Sequence, residues 1–302
     1  MREKQKFSVV IPVYNEEKIL RRSVESLISD IAKIAQFDTE YEIIICENGS
    51  NDDTCNIARQ LAGEFLVVRI ERLGYPGYGQ ALRLGISAAK YEKVIIFNID
   101  FWDIDFLRKT LVLLDRYDCI VGSKVIAGAV DKRALTRRLI TKWFNLLLRL
   151  LYGFRGTDTH GIKGFRKSAI YPVAMRCLTD REVFDTELLL RADRARISIH
   201  ELPVTIQEVR LARLDLFKRI PSTTSDLLKL FVALQFKPII TLSVPHYEHH
   251  QMGNKYPSGA YEKVKVLDGK LTEEEISFVT EIPISAVREL REMIRLENDK
   301  KR

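Results

Sequence analysis

Cysteine is scarce in this chain of 302 residues. Cys46, Cys55, Cys119 and Cys177 stand far apart, with no Cys-x-x-Cys pair. That spacing offers neither a disulfide framework nor a zinc cluster. Cys46 and Cys119 fall in apolar, strand-like runs that suit small buried side chains in a reducing compartment. Long hydrophobic runs are lacking too. No stretch approaches the ~18 uninterrupted apolar residues of a spanning helix, and the nearest, Leu230 to Val244, is broken by Gln235, Lys237 and Pro238. Met1 to Lys6 is charged, but the apolar run that follows, Val9 to Val13, is short and contains Pro12, so no secretory leader is expected. The remaining composition, 46% hydrophobic and 29% charged, excludes a disordered or fibrous chain. A cytoplasmic protein is expected. At about 150 residues per domain, it has one large domain with an appendage, or two domains.

The first half alternates short apolar runs with helical patterns. Strand-like runs start at Phe7, Tyr41, Leu66, Lys93 and Cys119, and helical spacing fills Glu16–Ile34, Thr54–Ala62, Gln80–Lys90 and Asp103–Arg116. This rhythm predicts an α/β fold whose mostly parallel sheet is covered on both faces. Ligands of such sheets lie at the carboxyl ends of the strands. Here those ends read Pro12-Val-Tyr-Asn-Glu16, Glu47-Asn-Gly-Ser-Asn-Asp-Asp53 and Asn98-Ile-Asp100. They are polar and acidic, which suits a metal or a polyol better than bare phosphate. Gly77-Tyr-Gly79 precedes a helix but lacks the third glycine of a dinucleotide fingerprint.

The net charge of +7 is concentrated. Residues 131–155 hold Lys132, Arg133, Arg137, Arg138, Lys142, Arg149 and Arg155 against Asp131 alone, interleaved with leucines, Trp143 and Phe144. This pattern fits a basic amphipathic helix in a membrane interface, or equally a basic-edged helix packed on its own domain; calmodulin-type binding fits it less economically. The stretch 245–261 reads as a linker. Beyond it, Thr272-Glu-Glu-Glu275 is a capping box, and Val287, Leu290 and Ile294 mark a second helix, so 262–302 is expected to form a helical hairpin. Its acidic residues argue against a DNA reader, and no nucleic-acid partner is expected. The expected large domain is 1–244.

Ser8-Val-Val-Ile-Pro-Val-Tyr-Asn-Glu-Glu17 followed by Glu47-Asn-Gly-Ser-Asn-Asp-Asp-Thr54 resembles the opening of family 2 glycosyltransferases of GT-A fold. Gly77 to Gly85, Val121-Gly-Ser-Lys124, Arg138 to Asn145, Asp158 to Arg166, Phe184-Asp-Thr-Glu187 and Glu201 to Thr205 continue the likeness in order over about residues 7 to 220. Within the family the chain is most similar to dolichyl-phosphate mannose synthases and related polyprenyl-phosphate glycosyltransferases.

The resemblance implies an inverting transfer of a sugar from a GDP- or UDP-linked donor to a polyprenyl phosphate, by a peripheral protein at the cytosolic membrane face. It implies a nucleotide-sugar pocket from Pro12, Tyr14, Glu16, Glu47, Gly79, Asn98 and Asp100, with Asp100 as catalytic metal ligand, aided by Asn98, for Mg2+ or Mn2+. Here Asn98 replaces the first Asp of the family's Asp-x-Asp, and Trp102 stands where many relatives have Gln. Both weaken the expected metal affinity, and Asp103 or Asp105 would have to compensate unless Asp103 is a helix N-cap. The acceptor phosphate would meet Lys124, Arg138 and Arg210, with Lys142, Arg213 and Lys218 nearby. A hydroxyl acceptor would instead need a base, for which Asp185 and Glu187 are the first candidates. A catalytically weakened sugar-nucleotide-binding protein is the further alternative. His160 reads as structural, and His246, His249 and His250 as solvated.

Overall fold

The computed structural model describes residues 5–34, 39–132, 135–180 and 183–206, with ten further positions between 227 and 295. The chain divides into two compact units, 1–220 and 221–302. In the second unit Val287, Leu290 and Ile294 are helical and buried, on the spacing expected of one helix face. The anticipated linker 245–261 lies outside the described residues, as do Arg210, Arg213 and Lys218.

The first unit opens as β1 (Gln5–Val13), α1 (Leu20–Ile34), β2 (Thr39–Asn48), α2 (Thr54–Glu64), β3 (Val68–Leu73), α3 (Tyr78–Ala88), β4 (Lys93–Ile96), α4 (Ile104–Leu113) and β5 (Cys119–Ser123). The expected alternation is present, with small shifts. β3 starts at Val68 rather than Leu66: Leu66 is fully exposed, and Val68 is the first buried side chain of the run. There follow β6 (Val130–Asp131), α5 (Leu135–Tyr152), β7 (Lys163–Arg166), α6 (Lys167–Ala174), α7 (Phe184–Arg194), β8 (Ile199–Pro203) and β9 (Thr205–Ile206).

Seven strands form one sheet in the order β3-β2-β1-β4-β7-β5-β8, and β6 pairs with β9 separately. All neighbours in the large sheet are parallel except β7, which runs antiparallel to β4 and β5. The strands are apolar on both faces because both are covered. Phe7, Val9, Ile11, Ile43 and Ile45 join the core under α1, α2 and α4. Val10 and Cys46 face α3, which lies so close that a Cβ on Gly85 would overlap Val10 Cγ1 and stand 2.6 Å from Cys46 Sγ. All four cysteines are buried and unbridged, and burial pushes the Cys119 thiol up to about 12, which removes its nucleophilic form. The antiparallel β7 enters the sheet from the edge where β1, β4 and β5 end, so the loop leading into it lies among their carboxyl ends.

Candidate active site

The loops after β1 and β2 hold each other. Asn15 sits in the left-handed region (φ 54°), which Asn tolerates better than most residues. Its N–H donates to Ser50 Oγ (3.0 Å), and its Oδ1 accepts from the Asn51 N–H (2.8 Å). The Glu16 N–H donates to Thr54 Oγ1 (2.7 Å), and Glu17 exchanges hydrogen bonds with the 52–53 segment. Glu47, only 1% exposed, accepts from the Ser50 N–H (2.6 Å) and the Arg72 guanidinium (3.2 Å). The acidic stretch after β2 thus spends much of its hydrogen-bonding capacity shaping its own loops. Glu47, expected in the nucleotide-sugar pocket, is held by Ser50 and Arg72. Pro12 and Glu16 are half-buried, and Tyr14 is exposed at the rim.

After β4 the chain makes a tight turn in which Asn98 and Phe101 exchange both backbone hydrogen bonds (3.2 and 3.1 Å). Asn98 and Asp100 thus come from one short turn. Asp103 caps α4, its side chain accepting from the Phe106 N–H (2.9 Å). The Trp102 indole donates to Asp30 on α1 (3.1 Å), and Asp105 pairs with Arg108 and Lys109 on the helix surface. The possibility that Asp103 or Asp105 supplements the metal turn is therefore corrected: the first is a cap and the second a surface ion-pair partner. Among the described residues no three His, Cys, Asp or Glu side chains cluster closely enough to hold a metal by themselves. One carboxylate and one amide carbonyl do fit an ion of the Mg2+ type, which takes one or two protein carboxylates and completes its shell with water and substrate phosphates.

Between the ends of β4 and β5 the floor is charged and buried. Lys163 pairs across the sheet with Ile96 on one side and Val121 on the other. Its Nζ lies 3.0 Å from Asp185 Oδ1 at the start of α7 and donates to the Gly161 carbonyl (2.8 Å). Tyr78, the first residue of α3, donates its hydroxyl to Asp185 Oδ2 (2.8 Å). A second pair, Lys124 Nζ to Asp158 Oδ2 (2.8 Å), closes the end of β5. Burial alone would raise the Asp158 carboxyl, but Lys124 and the His160 N–H outweigh it and hold the carboxyl below its ordinary value. Lys124, expected to meet an acceptor phosphate, thus already has an anionic partner.

The Gly79 N–H donates to the Asp180 carbonyl (2.9 Å), and a Cβ there would stand 2.8 Å from the Phe184 ring, so this glycine, expected at the nucleotide, also lets α3 pack closely on α7. Glu187 is fully buried and accepts from the N–H groups of Leu178 and Thr179, the Thr179 hydroxyl and the Arg191 guanidinium. Burial would raise its carboxyl, but Arg191 and these donors hold it below its ordinary value. It orders the 178–179 turn and has no spare lone pair for a reacting proton. The signal for Lys163, which sequence reasoning missed, was a lysine flanked by Ile162 and Phe165 in a strand-like run.

α5 faces two ways. Asn145, Leu148 and Tyr152 are buried, while Leu135, Leu139, Trp143, Leu146 and Leu150 form an exposed stripe, with Leu139 64% and Trp143 67% exposed. Arg138, Lys142 and Arg149 are exposed along the flank of that stripe. The buried side ties the helix to the loop before β7, where the Asn145 amide donates to the Thr157 carbonyl.

The profile of "Glycosyl transferase family 2" matches residues 8–173, more than half of the chain. The chain belongs to glycosyl transferase family 2. Family relatives include Glycosyltransferase AglD of Haloferax volcanii, 29% identical over 245 residues; the match takes in 78% of this chain and 39% of AglD, so the chain spans well under half of that protein's length. Human dolichyl-phosphate beta-glucosyltransferase is 29% identical over 249 residues, 77% of this chain and 76% of the relative. Among solved structures, glucosyl-3-phosphoglycerate synthase from Mycobacterium tuberculosis, in complex with Mn2+, uridine diphosphate and glucosyl-3-phosphoglycerate, superposes with a TM-score of 0.56. It is 17% identical, with 80% of this chain and 83% of that one covered. At that identity the likeness establishes the fold, the expected GT-A arrangement.

Proposed function

We propose that this family member transfers one hexose from a nucleotide-diphosphate sugar to polyprenyl phosphate at a membrane surface, with inversion at the anomeric carbon. The observation that carries the reading is the state of the two nominated carboxylates. Asp185 is ion-paired with Lys163 and hydrogen-bonded by Tyr78, and Glu187 is filled by its own turn and Arg191. Both carboxylates are thus engaged by partners within the protein, an arrangement that favours an acceptor needing no general base. A phosphate monoester needs no such base, because it is already anionic at neutral pH. One of its oxygens attacks the anomeric carbon, the bond from that carbon to the diphosphate oxygen breaks, and the nucleoside diphosphate leaves with the electron pair.

Asp100 with the Asn98 carbonyl would hold a divalent cation, Mg2+ or Mn2+, which supplies positive charge to the departing diphosphate. Tyr14 and Pro12 line the donor end. Arg138 and Lys142 are exposed cations on the acceptor side, where Arg210, Arg213 and Lys218 are further candidates. The exposed stripe of α5 with its basic flank suits a lipid-borne acceptor, since apolar side chains enter the acyl boundary while cations meet anionic headgroups. The dolichyl-phosphate relatives are named for glucose. The mannose expectation therefore gives way to glucose, with UDP-glucose as the donor to test first.

A donor panel scored for transfer to polyprenyl phosphate, with and without Mn2+, tests this reading. UDP-glucose should give cation-dependent turnover well above that with GDP-mannose. Sugar-nucleotide binding without turnover on any donor would favour a weakened, non-catalytic protein instead.

A further inference from the structure

His160 lies in the loop that leads into β7, between the turn carrying Asn98 and Asp100 and the end of β5. Everything around it is fixed. Thr157 is held by Glu201 through both its N–H (2.6 Å) and its hydroxyl (2.8 Å). Asp158 is locked to Lys124, and its Oδ1 accepts the His160 N–H (3.1 Å). Thr159 is fully buried and contacts the Thr186 hydroxyl on α7 (3.0 Å). Gly161 is pressed on β5 so tightly that a Cβ would overlap the Gly122 carbonyl oxygen. Within this segment the His160 side chain is exposed while Asp158, Thr159, Ile162 and Lys163 are buried. Its ring is oriented on two sides, by Thr159 Oγ1 at 3.0 Å from Nδ1 and by the Phe144 ring of α5 edge-on at 5.5 Å.

An exposed ring held rigidly above two buried ion pairs, at the edge where the strands end, is placed to touch what binds there. We propose that His160 is a substrate-contacting residue whose Nε2 hydrogen-bonds a phosphate oxygen, of either the donor's diphosphate or the acceptor's phosphate. Thr159 engages Nδ1, which leaves Nε2 as the ring's other nitrogen. The placement suits phosphate because Lys124 and Lys163 are already neutralised by Asp158 and Asp185, so the floor offers little free positive charge and needs a neutral donor. This inference rests on the transfer reaction proposed above.

The test compares wild type, His160→Leu and His160→Gln in steady-state transfer of glucose from UDP-glucose to polyprenyl phosphate, each variant with a thermal melt. A hydrogen bond to a charged oxygen is worth a factor of about 10 to 100. His160→Leu should lose that much in kcat/KM with little change in Tm, because the ring is exposed. His160→Gln, which keeps a neutral N–H donor, should recover most of the loss. A rise confined to the donor KM assigns the oxygen to the diphosphate, and one confined to the acceptor KM assigns it to the lipid phosphate. Wild-type-like kinetics in His160→Leu, or a loss that tracks a lowered Tm in both variants, overturns the proposal. Absence of turnover in wild type would fail the parent reading instead, and is recognised before any variant is compared.

Discussion

Lys163 Nζ lies 3.0 Å from Asp185 Oδ1, with the two side chains 1% and 5% exposed. The pair sits at the centre of the sheet's functional edge and joins β7 to α7, while Tyr78 on the same carboxylate brings in α3. Taking two charges out of water is expensive, and the mutual attraction only offsets it when the geometry is good. The consequence is asymmetric. Removing one partner should cost far more than removing both.

Lys163→Met should therefore destabilise the protein by about 3–5 kcal/mol, because it leaves Asp185 buried without its cation. Lys163→Met with Asp185→Asn should recover much of that, since Asn keeps an acceptor for Tyr78. Urea unfolding of both variants measures it. Equal losses in the single and double variants would mean the pair is not coupled.

The acid limb of stability should carry the signature of Glu187. Its carboxyl is held below the ordinary 4.5 in the folded state, so the unfolded chain binds the proton more readily. The contribution is fully present above 4.5 and is lost as pH falls through the lower folded value. Asp158 adds a second group of the same sign. Unfolding free energy measured across this range should fall less steeply with decreasing pH in Glu187→Gln than in wild type. An unchanged slope would assign the acid limb to other groups.

The exposed stripe of α5 should behave as a lipid contact. Trp143→Glu, with Leu139→Glu, should abolish pelleting with vesicles of anionic phospholipid. Replacing Arg138, Lys142 and Arg149 should weaken it by about 1 kcal/mol per residue and flatten its dependence on salt. Vesicle binding that ignores all five substitutions would place the membrane contact elsewhere in the chain.

Asn98→Asp adds a carboxylate to the turn that holds Asp100. The charge should lower the Mn2+ concentration needed for half-maximal transfer, since hard cations favour charged oxygen ligands. Titrating activity against Mn2+ reads it directly. A variant that needs more Mn2+ than wild type would show that Asn98 is not near the ion.

Much of the architecture was legible because it rests on local rules. Apolar runs separated by helical spacing placed five strands and four helices, and an Asp before an apolar helix marked the Asp103 cap. The exposed stripe of α5 followed from leucine and tryptophan set among arginines, although whether that stripe faced outward needed the fold. The site was less legible because its partners are distant in sequence. Tyr78 and Asp185 are 107 residues apart, and nothing local to either announces the other. The same holds for Lys163, a charge inside a four-residue strand whose antiparallel direction no periodicity reveals. Of the carboxylates nominated from motifs, Glu47 binds Ser50 in its own loop and Arg72 on β3, and Glu187 spends its lone pairs on the 178–179 turn and Arg191, uses that residue type alone does not distinguish from catalysis.

An acceptor that is already an anion needs no base. The most direct measurement is glucose transfer from UDP-glucose to polyprenyl phosphate against transfer to the free polyprenol of the same length, in one assay with Mn2+. Turnover with the phosphate and none with the alcohol is expected. Comparable turnover on the alcohol would contradict it, because a group in the site would then have to remove the hydroxyl proton.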